Sequence, residues 1–358
     1  MNRPQIWKVA GVILLVFGLQ LFCGLQLYAQ HADLGAAAAA KAAAGREALT
    51  HGASNASDPV GTFITFDVPG AVNGTSPSGM NQEGAITGSY YDANFLGHGF
   101  LRDSNGGFTT FDAPGAVAAM IGTFPLDINP EAAITGDFFD ANFVPHGFLR
   151  ASDGALTTFD APGAATTGFP SGTTPVGINP KGVITGSYAD ANNADHGFLR
   201  ARDGIFSTFD PPGEIRTFAP FSFGPDLSMN PEGVITGTYF ELISGNPFGG
   251  NFRVFVRAKD GTFTTFDAAT YPPCCIWSFP SAVSPKGTLT GSFNDGHTIN
   301  HGFLRAPDGT VTTFDVPGAG TGFDQGTVPL GIDPAGEIMG FYRDANGVSH
   351  GFLLLPRP

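Results

Sequence analysis

TFITFD, residues 62–67, is the stretch that decides how the chain is built. Its closing tripeptide, TFD, returns in five further places, ending on Asp112, Asp160, Asp210, Asp267 and Asp315. Between copies three other landmarks follow in constant order. The first is an Asn-Pro-like turn at Asn81, Asn129, Asn179, Asn230, Ser284 and Asp333. The second is ITGSY and its variants, starting at Ile86, Ile134, Ile184, Ile235, Leu289 and Ile338. The third is HGFLR at 98–102, 146–150, 196–200 and 301–305, with RVFVR at 253–257 and HGFLL at 350–354. The copy at 62–67 has no HGFLR before it, and the copy at 350–354 has no TFD after it. An orphan strand at each end is what a closed ring needs. Thr62–Asp67 is expected to pair with Gly351–Leu355 and complete the last unit, leaving no long exposed edge.

Each landmark is short, rich in Phe, Ile, Thr and Tyr, and bounded by Gly, Pro, Asn and Asp, the signature of a strand. NPKG or NPEG marks a tight turn between the first two strands, and SDG, RDG, KDG or PDG marks a hairpin between the last two. Asp67 to Asp112 spans 45 residues and Asp160 to Asp210 spans 50, a period in the range of propeller blades. The spacing predicts an all-β fold, a six-bladed β-propeller of four-stranded antiparallel blades over residues 59–358. Phe100, Phe148, Phe198 and Phe303 are expected to fill the spaces between blades.

Composition agrees with this reading. Hydrophobic residues make up 42% and charged residues only 13%, with Gly at 51 and Phe at 34, which suits a turn-rich β fold. The net charge of −14 argues against nucleic acid and against anionic membrane surfaces as partners. Residues 1–29 read as a signal peptide: Arg3 and Lys8 precede an apolar run at Val9–Leu19, and Ala29 offers a cleavage site. The alternative is an uncleaved anchor over Ile6–Leu27, the one route by which the chain would meet a membrane. Residues 30–58, alanine-rich, read as a linker. A secreted, periplasmic or cell-surface monomer is the expectation.

The HGFL string, together with GIN..G.I.G.Y.D, resembles the HAF-type extracellular repeats, with Gly in place of the family's Ala. The resemblance covers about residues 60–355. It implies export and the repeat architecture, and it carries over no catalytic residue.

The recurrent His98, His146, His196, His301 and His350 invite a metal reading. A metal needs its nitrogens about 2.0–2.1 Å from one point. One His per blade spreads them around the ring, so each is expected to serve its own hairpin by facing the Asp six residues earlier. Those pairs are Asp92/His98, Asp140/His146, Asp190/His196, Asp295/His301 and Asp344/His350. No cofactor is expected. Ca2+ is the one ion the repeated carboxylates could invite, but no EF-hand pattern is present. The DG hairpins lack the order of sialidase Asp-boxes, and no nucleophile elbow, H-E-x-x-H or phosphate loop occurs. Cys274 and Cys275 are adjacent, open to a strained vicinal disulfide, an intermolecular link or a free pair.

A specific site is expected where the repetition breaks. Pro211–Ser228 is the longest crossover, the hairpin from Glu241 to Arg253 is six residues longer than its siblings, and Ala268–Ala282 holds both cysteines. All three fall on one face around blade four. They supply the candidate ligand-binding residues Arg216, Phe221, Phe223, Arg253, Tyr271 and Trp277, aromatic and Arg side chains in long surface loops. No catalytic residue is assigned. The sequence points to a non-enzymatic binding or scaffold module for a protein or glycan partner. Its alternative is a glycan-active hydrolase or lyase using face carboxylates.

Overall fold

The computed structural model describes residues 60–357, apart from 117–121, 168–171, 193, 213–214, 218–226, 231, 243–249, 268–277, 285, 295–298 and 309. The proposed leader and linker, residues 1–58, lie outside the described residues.

The chain is a six-bladed propeller. In blade one the inner strand Thr75–Met80 pairs with Ile86–Tyr91, then Gly97–Arg102, then the outer strand Phe108–Phe111, all antiparallel. Blades two and three repeat the same four-stranded order. Blade five is Ser278–Val283, Leu289–Asn294, Asn300–Arg305 and Val311–Phe314. Blade six has Gly326–Ile332, Ile338–Arg343 and Ser349–Pro356, and its fourth strand is the first strand of the chain, Gly61–Phe66. Thr62 lies opposite Leu355 and Phe66 opposite Gly351, as the orphan strands require.

The turns explain the recurring polar residues. Asn81 Oδ1 accepts the N–H groups of Glu83 (3.2 Å) and Ala85 (2.9 Å), folding the chain back between the first two strands. Its Nδ2 donates to the carbonyl of Asn129 in the next blade at 3.1 Å, and Asn129 Nδ2 donates to Asn179 O at 3.4 Å. One residue type therefore closes a turn and ties neighbouring blades. In blade one the hairpin reads DSNGG, and Asp103 closes it, accepting from the N–H groups of Asn105 and Gly107 while Gly106 takes φ +90°.

Outside blade four the inner strands begin earlier than the GIN signal and contain proline, with a register shift after Pro77, Pro125, Pro175, Pro280 and Pro329. Proline argues against a central strand, but these strands form the inner edge of each blade, where a missing N–H costs no ladder bond.

The core lies between blades. Phe100, Phe148, Phe198, Phe255 and Phe352 are fully buried, each with the Ile of its ITG strand. Ile86 and Phe100 of blade one pack with Met339 and Leu353 of blade six, so the ring is continuous across the seam. The terminal Arg of HGFLR adds a second contact. Arg102 lies 5.0 Å from the centre of the Phe66 ring, Arg150 5.1 Å from Phe111, Arg200 4.8 Å from Phe159 and Arg257 5.0 Å from Phe209. In each case the ring belongs to the outer strand of the preceding blade, a desolvated cation–π contact. Phe303 departs from expectation: it is half-buried, and Arg305 is exposed. Their side of blade five looks toward blade four, where the repeat leaves its consensus.

Candidate functional site

Strand direction gives the ring two distinct faces. The crossover face carries the TFD ends, the crossovers and the turns between second and third strands. The hairpin face carries the NPEG-type turns and the DG hairpins.

On the crossover face His98, His146, His196 and His350 each sit between two carboxylates. His98 Nδ1 is hydrogen-bonded to Asp112 at 2.8 Å, His146 to Asp160 at 2.9 Å, His196 to Asp210 at 2.9 Å and His301 to Asp315 at 2.9 Å. These partners lie fourteen residues after the histidine, not six before it. Asp92, Asp140, Asp190 and Asp344 face the other ring nitrogen at 3.8–3.9 Å, beyond hydrogen-bonding distance. Four of the expected pairs are therefore present as ion-pair neighbours, but the hydrogen bond of each imidazole goes to the other acid; Asp295 lies outside the described residues. The reason is local. Asp92 Oδ1 accepts the N–H groups of Asn94 and Leu96, both at 2.8 Å, so this carboxylate is committed to its own turn. Those backbone N–H groups, Leu96 first, hold Asp92 below its ordinary range, and Ala194 does the same for Asp190.

The imidazoles also rest on an aromatic ring one strand inward: His98 on Tyr90, His146 on Phe138, His301 on Phe293 and His350 on Tyr342, with centroids 5.0–5.3 Å apart. Burial first, then Asp67 and Asp344, pushes the Tyr342 hydroxyl up to about 12. The unit is thus an aromatic platform, an imidazole and two acids, repeated in separate blades. Among the described residues no group of three or more His, Cys, Asp or Glu side chains is arranged to hold a metal ion.

Blade four breaks the pattern as its sequence does. Its second and third strands, Ile235–Leu242 and Gly250–Arg257, run eight residues each, and Ile215–Thr217 adds an extra strand segment against Glu241 and Phe240. Arg253 stands between Tyr239 and Asp267 in register, the position histidine takes elsewhere. Arg216 lies in the added segment. Phe221, Phe223, Tyr271 and Trp277, with Cys274 and Cys275, lie outside the described residues.

Sequence reasoning overlooks two residues on the same face. Phe95 and Phe143 occupy the turns between second and third strands of blades one and two. They are 54% and 52% exposed, at φ 60° and 62°. Blade six has Gly347 at this position, with φ 78°. A left-handed backbone favours glycine there, so an exposed aromatic is out of place by both conformation and polarity. The turns are fixed: Phe95 N donates to Asp92 O at 3.1 Å and Phe143 N to Asp140 O at 3.0 Å. The signal was present in the alignment of DANF with DANG.

Blade two also holds an acid that its siblings lack. Asp137 replaces Ser89, Ser187 and Ser292, and is 7% exposed. Burial pushes its carboxyl up to about 7. Asp127, in the inner strand, accepts from Ile128 N and from Ile178 N of blade three, both at 2.8 Å, and burial raises it to about 6.

No family model matches the chain, and no curated protein matches it. Among solved structures it is similar to a protein of unknown function from Dyadobacter fermentans, at 12% identity and TM-score 0.48, covering 82% of this chain and 98% of that one. It is also similar to AofleA from Arthrobotrys oligospora, at 11% identity and TM-score 0.43, covering 85% and 90%. A third is the Aleuria aurantia lectin, described as a six-bladed β-propeller with a fucose recognition mode, at 10% identity and TM-score 0.42, covering 81% and 98%.

Proposed function

We propose that this chain is an exported, non-enzymatic binding module that recognises a protein or glycan partner at the cell envelope through its crossover face. The observation that carries the reading is the pair Phe95 and Phe143. Two exposed aromatics at a position that favours glycine, on turns held rigid by Asp92 and Asp140, are better suited to contacting a partner than to supporting the fold. The blade-four residues Arg216, Phe221, Phe223, Arg253, Tyr271 and Trp277 belong to the same proposed surface. Residues 1–29 would direct export, residues 30–58 would space the ring from the envelope, and no cofactor is required. The resemblance of the HGFL repeats to HAF-type repeats supports an extracellular setting.

The test is a glycan array and a peptide array probed with the labelled protein, alongside a Phe95→Ala/Phe143→Ala double variant. Binding that the double variant loses supports the reading. Turnover of a glycan, stopped by neutralising one face Asp, would replace it with an enzyme.

A further inference from the structure

A third exposed aromatic extends the same surface. Phe323, 73% exposed, stands in the crossover that leads into blade six. The loop around it is pinned. Gln325 Oε1 accepts from Gly322 N at 2.7 Å, and Gln325 Nε2 donates to Ala345 O at 3.2 Å. Arg343 Nη1 donates to Asp324 O at 3.0 Å and is ion-paired with the Asp324 carboxylate. Asp324 itself takes φ 57°. Phe323, Phe95 and Phe143 are therefore presented on stiff tips over blades six, one and two, consecutive in the ring.

Charge is distributed unevenly about these tips. Asp67, Asp112 and Asp160 end the outer strands of blades six, one and two on the crossover face, and their carboxylates are roughly half-exposed. Across these three blades the one described Lys or Arg on that face is Arg343, already engaged by Asp324. Basic residues gather on the opposite face: Arg102 and Arg150 end third strands there, and Lys181, Arg202 and Lys259 lie in or beside its turns. Each of these carboxylates is bonded to a histidine ring but to no described Lys or Arg, and exposed rings among such carboxylates attract cations twice, through the ring quadrupole and through charge. Tips spread over three blades suit an extended occupant.

Building on the binding-module reading, we propose that Phe323, Phe95 and Phe143, with the flanking Asp carboxylates, form a docking surface for an extended, arginine-rich polypeptide segment. Arginine fits best because its planar guanidinium stacks on rings and pairs with carboxylates. A second copy of this chain fits poorly, since two crossover faces would bring like charges together.

The test uses the whole chain, fluorescein-labelled deca-arginine and labelled deca-glutamate as control, followed by anisotropy. Deca-arginine should bind, deca-glutamate should not, and added salt should weaken binding. A Phe95→Ser/Phe143→Ser/Phe323→Ser variant should lose about tenfold or more in affinity. Ile205→Ser/Val311→Ser, exposed apolar positions on the hairpin face, should change nothing. Circular dichroism and Tm confirm that both variants fold.

Deca-arginine binding that ignores the triple Phe substitution would reduce the effect to bulk charge and overturn the proposal. No deca-arginine binding, with Phe-dependent binding on a glycan array, would overturn it and leave the binding-module reading intact. Concentration-dependent self-association by sedimentation, abolished in the triple variant, would assign the surface to a second copy instead. Absence of any Phe-dependent binding would remove both readings.

Discussion

His350 and Asp67 are 283 residues apart, yet they form the same contact that His98 makes with Asp112 inside one hairpin: Nδ1 to carboxylate, at 3.0 Å. The first strand of the chain reproduces, at the seam, the outer-strand contact of an ordinary blade. Asp67 is also the largest cause that raises the His350 pKa. The sign follows. A histidine raised above its unfolded value adds stability that is fully present below about 6.5 and is lost as pH rises through the folded value.

Closure is therefore testable by deletion. Removing residues 59–68 takes away Phe63, which packs with Phe314 and Phe352, and the whole pairing with blade six. The Tm should fall by ten degrees or more, on the order of several kcal/mol for a lost buried strand. Deleting residues 30–50 should leave Tm unchanged. Equal melting of the 59–68 deletion and the parent would rule out the closed ring.

The pentapeptide is a packing unit. Phe198 is fully buried and touches the Phe159 and Phe206 rings, so Phe198→Ala should cost about 3–5 kcal/mol in denaturant unfolding. His196→Ala removes a half-exposed hydrogen bond and should cost about 1 kcal/mol. The order of the two, not their exact size, is decisive.

Asp137 predicts an alkaline weakness. Its carboxyl titrates near 3.8 when unfolded and at about 7 when folded. The folded protein keeps the proton over that window, so stability is full below about 3.8 and declines as pH rises through 7. Asp137→Ser, the residue at Ser89 and Ser187, should remove this loss. It should stabilise the protein by about 2–4 kcal/mol at pH 8 and hardly at pH 4. A gain equal at both pH values would point to packing instead of charge.

On the blade-four side, Trp277→Ala should weaken a ligand bound there by about 2 kcal/mol, the size of a hot spot. Changes at Lys181 and Gly182, on the hairpin face, should leave affinity alone. Isothermal titration of folded variants distinguishes these outcomes, and loss from the Lys181 change alone would misplace the site.

The ring was legible because each blade is written with the same landmarks, and the two orphan strands admit one pairing. The histidine's hydrogen-bond partner was not. Spacing of six offers Asp92, but that acid is taken up by its own turn, while the cross-strand register sets His98 opposite Asp112. Phe303 shows the converse limit: a copy of HGFLR guarantees the strand, whereas burial of its Phe depends on the neighbouring blade. Phe95 and Phe143 escape a reading by landmarks because their significance lies in a backbone angle, visible only once Gly347 is seen to occupy the same place.

The seam also sets the order of events during synthesis. Gly61–Phe66 leaves the ribosome before every other described strand of the ring, and its partner, Ser349–Pro356, after them. A loop spanning nearly the whole domain must close before that pairing forms, and such closure is slow. Until Ser349–Pro356 has emerged, the first strand has no blade to join, and blade six lacks its outer strand. A product that stops before Ser349 would keep those edges unpaired and available to other chains.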